Sequence, residues 1–241
     1  LMNLPEKAMR AIRGDRISMI FQEPMRSLSP LHRLGNQVAE VLWLHRNMGR
    51  AEAKRVVLEE FREVGFANPE QVWNSYPFEM SGGMRQRAMI AMAMVAKPDL
   101  LIADEPTTAL DVTTQAQVLG LIRTLQADTG MAVILVTHDL GVVANMAQHV
   151  VVMHKGRVME RGLARDILRA PAHPYTAKLF AAAPTIPKVA APARPSNDQD
   201  IILSLKDVSK TYTMRAAGWR KPVAVPACQH IDLQLARGKT L

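Results

Sequence analysis

The sequence predicts an α/β fold built on a parallel sheet, and two apolar stretches with the helix pattern between them carry that prediction. The first stretch is Leu100-Leu101-Ile102-Ala103, followed by Asp104, Glu105 and the helix-breaking Pro106. A short continuous apolar run bounded by turn residues reads as a strand buried on both faces, as in parallel sheets. The second is Ala132 to Val136, which runs into Thr137-His138-Asp139. Between them lies a helix that Asp111 could cap, with Val118, Leu119, Ile122 and Leu125 as its apolar stripe and Gly130 as its stop. A helix joining two buried strands is the connection that parallel strands require. Carboxylates at the carboxyl end of such a strand lie where open α/β sheets bind ligands. Asp104 and Glu105 there suit two tasks, holding Mg²⁺ and orienting a water for attack on a phosphate; alone, they equally suit a solvated acidic turn.

Composition narrows the classes. A chain of 241 residues has room for one large domain or two small ones, and its 48% hydrophobic and 22% charged content is that of a globular protein. The net charge of +8 is compatible with nucleic acid, an anionic membrane surface or phosphate ligands. No block of five basic residues occurs, so the charge reads as a solvated basic surface. A single cysteine, Cys228, excludes an internal disulfide and any four-cysteine metal or iron–sulfur cluster, and fits a reducing compartment. The longest apolar runs, 88–96 and 131–136, fall short of the ~18 residues that span a bilayer, and no signal peptide is visible. The chain begins at Leu1 without an initiator methionine and ends at Leu241 directly after an apparent strand. Both ends read as cuts inside longer elements, so a fragment is expected.

Taken in order, Arg16 to Phe21 alternates loosely and stops at Gln22-Glu23-Pro24, a short strand ended by proline. Ser27 to Pro30 reads as loop. Val38, Val41, Leu42 and His45 recur at helical spacing over 36–47, and Ala51 to Val64 is a clearer amphipathic helix stopped by Gly65. These helices predict an all-α insert, about 36–96. Asn68 to Pro77 is rich in Pro, Asn and Ser and reads as loop, ahead of Ser81-Gly82-Gly83 and a helix from about Met84 to Val95 broken by Pro98. Past the two core strands, a short helix over 140–147 and a strand over 150–153 complete a βαβαβ run, expected to be one parallel sheet with right-handed crossovers. A hairpin turn at Lys155-Gly156 returns through Val158-Met159. Residues 184–200, with Pro184, Pro187, Pro192 and Pro195 among Ala and Lys, form a linker. Ile201 to Val208 and Ile231 to Leu235 then alternate like antiparallel strands, the start of a second domain.

Five features stand in order along the chain. Gln22 follows a strand, Ser81-Gly82-Gly83 open a helix, Asp104-Glu105 end a strand, Asp111 lies in the loop Ala109-Leu110-Asp111, and His138 ends the next strand. Singly, each has an ordinary structural explanation: a loop glutamine, a helix cap, an acidic turn, a strand-end histidine.

Together they resemble the ATPase subunit of an ABC transporter. Gln22 with Glu23-Pro24 resembles the Q-loop, Ser81 to Arg87 the ABC signature, Leu100 to Glu105 the Walker B strand, Ala109 to Asp111 the D-loop and His138 the H-loop. In the signature, Met80 stands where Leu is commonest and Met84 where Gln is. The resemblance implies a P-loop NTPase fold, here a parallel sheet flanked by helices with an all-α signature subdomain. It also implies ATP and Mg²⁺ as ligands. Asp104 would hold Mg²⁺, Glu105 would polarise the attacking water, and His138 would donate to the γ-phosphate. Gln22 would touch Mg²⁺ or the water and sense a transmembrane partner. Ser81, Gly82 and Gly83 would face an ATP held by a partner ATPase domain, and Asp111 would couple the two sites. Glycines permit close backbone approach, and a helix N-terminus favours an anion.

A Gly-x-x-x-x-Gly-Lys-Ser/Thr phosphate loop is missing. Gly238-Lys239-Thr240 approaches it, but Leu233 stands where its first glycine belongs. The resemblance therefore implies 1–183 as the C-terminal part of a first ATPase domain and 201–241 as the N-terminal strands of a second, each lacking its phosphate loop. Ser204 to Tyr212 is similar to the family's first strand and aromatic A-loop, where Tyr212 would stack on adenine. Tyr76 to Arg87, Phe21 to Pro30 and His173-Pro174-Tyr175-Thr176 are similar to the oligopeptide/dipeptide importer subfamily, and the two-domain form to glutathione-type importers. The implied function is energising uptake of peptides or glutathione at the cytoplasmic face of a bacterial inner membrane. The implied partners are a second ATPase domain in the same chain or a homologous subunit, membrane permease subunits and, indirectly, a periplasmic solute-binding protein. A nucleic-acid or ribosome-associated ABC ATPase is the alternative that the positive charge raises, and a regulatory, inactive module is a third. The His-Pro-Tyr-Thr segment argues against the former, and Glu105 with His138 against the latter, so no nucleic acid is expected.

Overall fold

The structure, a computed structural model, describes residues 1, 3–22, 27–108, 110–182, 201–214 and 223–238. Glu23-Pro24, Ala109, the linker 184–200 and Lys239-Thr240 therefore lie outside the described residues. The chain divides into two compact units, Leu1–Ala183 and Pro184–Leu241.

The first unit is built on a three-stranded parallel sheet of β1 (Ile17–Ile20), β2 (Leu100–Asp104) and β3 (Ala132–Val136), in that order. Ile20 pairs with Ala103, and Ala103 with Leu135. Helix α1 (Glu6–Ile12) precedes the sheet and buries no residue. Between β1 and β2 run α2 (Leu34–Arg46), α3 (Arg50–Glu63), α4 (Pro69–Asn74) and α5 (Gly82–Met94). Helix α6 (Val112–Thr129) joins β2 to β3, and α7 (Leu140–Met146) follows β3.

Two expectations of secondary structure need correction. The Asn68–Pro77 stretch is not all loop: α4 occupies most of it, because Asn68 accepts from the Gln71 N–H at 3.2 Å and Pro69 sits at the first helical position. Nor does the strand after α7 extend the parallel sheet. β4 (His149–His154) pairs antiparallel with β5 (Arg157–Leu163), turned back by Lys155 and Gly156 at φ 47° and 74°. Two residues at positive φ make the tight turn that matches strand twist.

The core explains why the strands were legible. Ile20, Leu101, Ile122, Phe61, Leu34 and Ile90 are fully buried, joining one face of the sheet to α5, α6 and the helical insert. The opposite sheet face is open, with Met19, Ile134 and Val136 exposed. The expectation that Leu100 to Ala103 is buried on both faces holds on one face only: Leu101 and Ala103 are buried, Leu100 and Ile102 half-buried, and β3, also expected to be buried, leaves Ile134 and Val136 exposed, because the helices that pack on the sheet gather on one side. Within the insert, Phe61 meets Phe66 edge to face at 5.5 Å. Arg87 donates to the Gly65 carbonyl and to Gln117 Oε1, both at 3.0 Å, tying α5 to the end of α3 and to α6.

After β5 come α8 (Ala164–Arg169) and α9 (Pro174–Ala181). Glu160 of β5 accepts from the N–H groups of Ala172 and His173, and the Tyr175 ring packs on His154 with centroids 4.3 Å apart. The His-Pro-Tyr-Thr segment is thus the fastening of α9 to the hairpin. The second unit is one antiparallel pair, β6 (Ile201–Met214) and β7 (Val223–Ala236), with irregular register.

Candidate active site

Parallel register alone assembles this site. Ile20, Ala103 and Leu135 stand in one row, so two residues further on each strand come Gln22, Glu105 and Thr137, with His138 next. The ladder continues past Asp104, since the Glu105 N–H donates to the Val136 carbonyl at 2.9 Å. Three motifs, the first 83 positions before Glu105 and the last 33 positions after it, thereby meet at the carboxyl end of the sheet.

Glu105 is the hub. Gln22 Nε2 donates to Glu105 Oε2 at 2.6 Å, and His138 Nδ1 lies 2.8 Å from Oε1. Thr108 Oγ1 also donates to Oε2, at 2.9 Å. The His138 hydrogen bond, then those of Thr108 and Gln22, hold the Glu105 carboxyl below its ordinary value. An ionised carboxylate only accepts, so the proton sits on His138 Nδ1 and leaves Nε2 turned away from Glu105. Glu105 adopts φ 45°, a left-handed conformation that costs a non-glycine residue roughly 1–2 kcal/mol. That backbone aims the side chain between β1 and β3.

Asp104, the last residue of β2, is half-buried beside the hub. Ser81 caps α5, its hydroxyl accepting from the Met84 N–H at 3.3 Å, and Gly82 and Gly83 form the helix's first turn. A Cβ on Gly83 would lie 2.7 Å from Thr114 Cγ2, so α5 approaches the start of α6 at glycine distance. Asp111 caps α6: Thr114 donates to it through its N–H at 2.9 Å and its hydroxyl at 2.7 Å. Those bonds lower the Asp111 carboxyl. The structure thus brings Gln22, Glu105 and His138 together and sets Ser81, Gly82, Gly83 and Asp111 at a neighbouring corner. Tyr212 belongs to the second unit, exposed on β6 with the Lys210 ammonium 5.3 Å from its ring centroid.

Sequence reasoning missed Thr108. Its signal was a hydroxyl three residues beyond a carboxylate in a Pro-containing turn, where the Thr108 N–H also donates to the Glu105 carbonyl at 3.1 Å. Oxygen donors from Asp104 and the Gln22 side chain are the hard ligands that suit Mg²⁺, which keeps most of its waters. The Gln22 nitrogen is engaged with Glu105, which leaves its carbonyl oxygen for a cation. Among the described residues no group of three or more His, Cys, Asp or Glu is placed to hold a metal, and no helix is long and apolar enough to cross a membrane.

Comparisons with known proteins agree on a family. A family model described as ABC transporter matches residues 3–108. A probable peptide ABC transporter ATP-binding protein, y4tR of Sinorhizobium fredii, is 55% identical over 184 residues, 76% of this chain and 55% of its own length. The oligopeptide transport ATP-binding protein OppD of Salmonella typhimurium is 50% identical over 186 residues, 77% of this chain and 56% of its own. The peptidoglycan transport ATP-binding protein YejF of Agrobacterium fabrum is 43% identical over 242 residues, all of this chain and 44% of its own. The chain spans about half the length of the curated relatives it matches. Among solved structures, a dimeric post-hydrolysis state of the ATP-binding cassette MJ0796 bound to ADP and Pi superposes with a TM-score of 0.59. It is 30% identical, over 68% of this chain and 69% of that one.

Proposed function

The chain belongs to the ABC transporter family, and from that premise we propose that it is part of an ATP-hydrolysing subunit that powers uptake of peptides or glutathione across a bacterial inner membrane. The observation that carries this is the Glu105 hub: an ionised carboxylate at the carboxyl end of a parallel sheet, held from three sides by Gln22, Thr108 and His138.

Each of these groups has work in phosphoryl transfer to water. Glu105 accepts a proton from, and orients, the attacking water. His138 offers Nε2 toward charge that develops on the transferred phosphoryl group. Gln22 positions Glu105 through its amide nitrogen. Asp104 and the Gln22 oxygen would hold Mg²⁺, which when bound neutralises phosphate charge. Ser81 and the α5 N-terminus present a hydroxyl, glycine backbone and a positive helix end toward an anion. The phosphates themselves would be cradled by a phosphate loop outside residues 1–241, and the signature would face a nucleotide on a second ATPase domain.

The peptide-transport names of the relatives support the substrate class, and residues 201–241 would open a second ATPase domain with Tyr212 near adenine. A groove of about 840 Å³ lies on the helical insert, lined by Ser29, Glu40, Trp43, Arg50, Lys54 and Trp73. Ser27, five residues after Gln22, also lines it, and the buried Trp43 indole N–H has no partner among the described residues. This is the face we assign to a permease subunit, which would put the protein at the cytoplasmic side of the membrane.

The test compares the complete protein with its Glu105→Gln variant. The variant is expected to bind ATP as wild type does and to lose hydrolysis by about 10²-fold or more. Equal hydrolysis rates would overturn the reading.

A further inference from the structure

Next to the hub, the half-buried Gln115 makes a long-range hydrogen bond that none of the roles above uses. Its Nε2 donates to Asp139 Oδ2 at 3.1 Å. Asp139 directly follows His138. Its other oxygen, Oδ1, accepts from the N–H groups of Gly141 at 2.7 Å and Val142 at 3.3 Å, which start α7. Its own N–H donates to Thr137 Oγ1 at 3.0 Å. The turn that presents His138 is therefore tied down internally by Asp139, and to α6 through Gln115.

The other end of this tie is the corner where the signature glycines meet α6. The Gln115 N–H donates to the Asp111 carbonyl at 2.8 Å, and the adjacent Thr114 both caps through Asp111 and lies against Gly83. One helical turn thus carries the Gly83 contact on one residue and the His138-turn contact on the next. The residue type matters. Burial works against charge on Asp139, yet the donors, Gln115 first, hold its carboxyl below the ordinary range. An apolar side chain at 115 would leave a half-buried carboxylate oxygen without this donor, and a shorter one would not reach.

We propose that Gln115 is a positioning residue that fixes the His138 turn to the Asp111–Gly83 corner, so that displacement of the signature segment is carried to His138. This rests on the ATP-hydrolysis reading, in which His138 touches the reacting phosphate. Gln115 itself touches no reacting atom and acts through Asp139.

The experiment uses the complete protein with steady-state ATP hydrolysis and the His138 ring resonance in its NMR spectrum. Gln115→Ala is expected to lower kcat about tenfold while KM for ATP stays within about twofold, as loss of a hydrogen bond to a charged group predicts. Gln115→Arg, which restores a donor to Asp139, recovers most of that rate. A double variant with Asp139→Ala is no slower than the slower single variant, because the hydrogen bond between 115 and 139 is already lost in either. The His138 resonance broadens in Gln115→Ala as the turn samples more than one position. An unchanged kcat, an equal loss in the arginine variant, or additive losses overturn the proposal. A wild-type protein without ATP hydrolysis overturns the functional reading instead. In that event the resonance decides the matter of Gln115: broadening supports it and an unaltered line overturns it.

Discussion

His138 Nδ1 and Glu105 Oε1 lie 2.8 Å apart, although 33 positions separate them in the chain. The contact fixes the tautomer of His138 and aims the remaining ring nitrogen outward. Replacing His138 by Ala is expected to reduce kcat by about 10²-fold, the scale seen when one donor to a developing oxyanion is removed. ATP affinity should change little, and single-turnover hydrolysis against equilibrium binding separates the two. A parallel loss of affinity would place His138 in ground-state binding instead.

Thr108 offers a pH test. Glu105 is held below its ordinary carboxylate value by His138 first and Thr108 second. A depressed carboxyl stays ionised as pH falls, until its lowered pKa is crossed, and only then loses its function as base. Thr108→Val removes one of the donors, so the acid limb of kcat/KM should move to higher pH. A pH–rate profile of both proteins checks this, and coincident acid limbs would show that Thr108 does not tune Glu105.

Glu60 makes the opposite prediction for stability. Burial, with Glu63 adding to it and Lys97 opposing, raises its pKa from 4.5 to about 8. Below pH 4.5 both the folded and unfolded chains carry the proton, and stability is unaffected. Between 4.5 and 8 the unfolded chain ionises while the folded one keeps its proton, so stability falls as pH rises. At pH 7 the accumulated cost is about 3 kcal/mol. Glu60→Gln should therefore gain Tm over wild type progressively from pH 5 to pH 8. A gap that is the same at both ends would show that Glu60 is not held neutral.

Gly83 tests how tightly α5 approaches α6. An alanine there would put its Cβ 2.7 Å from Thr114 Cγ2. Gly83→Ala is expected to cost about 1–3 kcal/mol in denaturant unfolding, as overpacking does. Adding Thr114→Ser, which removes that methyl and keeps the cap to Asp111, should return most of it. Absence of any loss in the single variant would mean that the helices part freely.

Strands β2 and β3 were legible because an apolar run ending in a turn looks the same whether one or both faces are covered. For the same reason their burial was misjudged: Ile134 and Val136 are as apolar as Leu101 but stand exposed. Helix α4 was hidden in a segment whose Asn, Pro and Ser resemble a loop, although Asn68-Pro69 is also a helix start. The fate of β4 turned on Lys155-Gly156, a local turn whose signal was read without its consequence for the sheet. Gln22, Glu105 and His138 were nameable from motif order, and the register that sets them side by side is long-range. Thr108, Gln115 and Asp139 went unnoticed because common polar residues announce a role only through the partners that the fold gives them.

The parallel ladder has a consequence for how such a site can drift. Neighbouring strands can shift only in whole-residue steps, each about 3.3 Å along the chain. That step exceeds the length of every hydrogen bond to the Glu105 carboxylate, the longest of which is 2.9 Å. The sheet therefore behaves as a vernier with one permitted setting, and small changes in packing cannot detune the three side chains gradually. Adjustment is left to the residues just past the strand ends, where Gln22, Thr108 and the His138 turn sit. Those few positions can vary the chemistry while the ruler beneath them stays fixed.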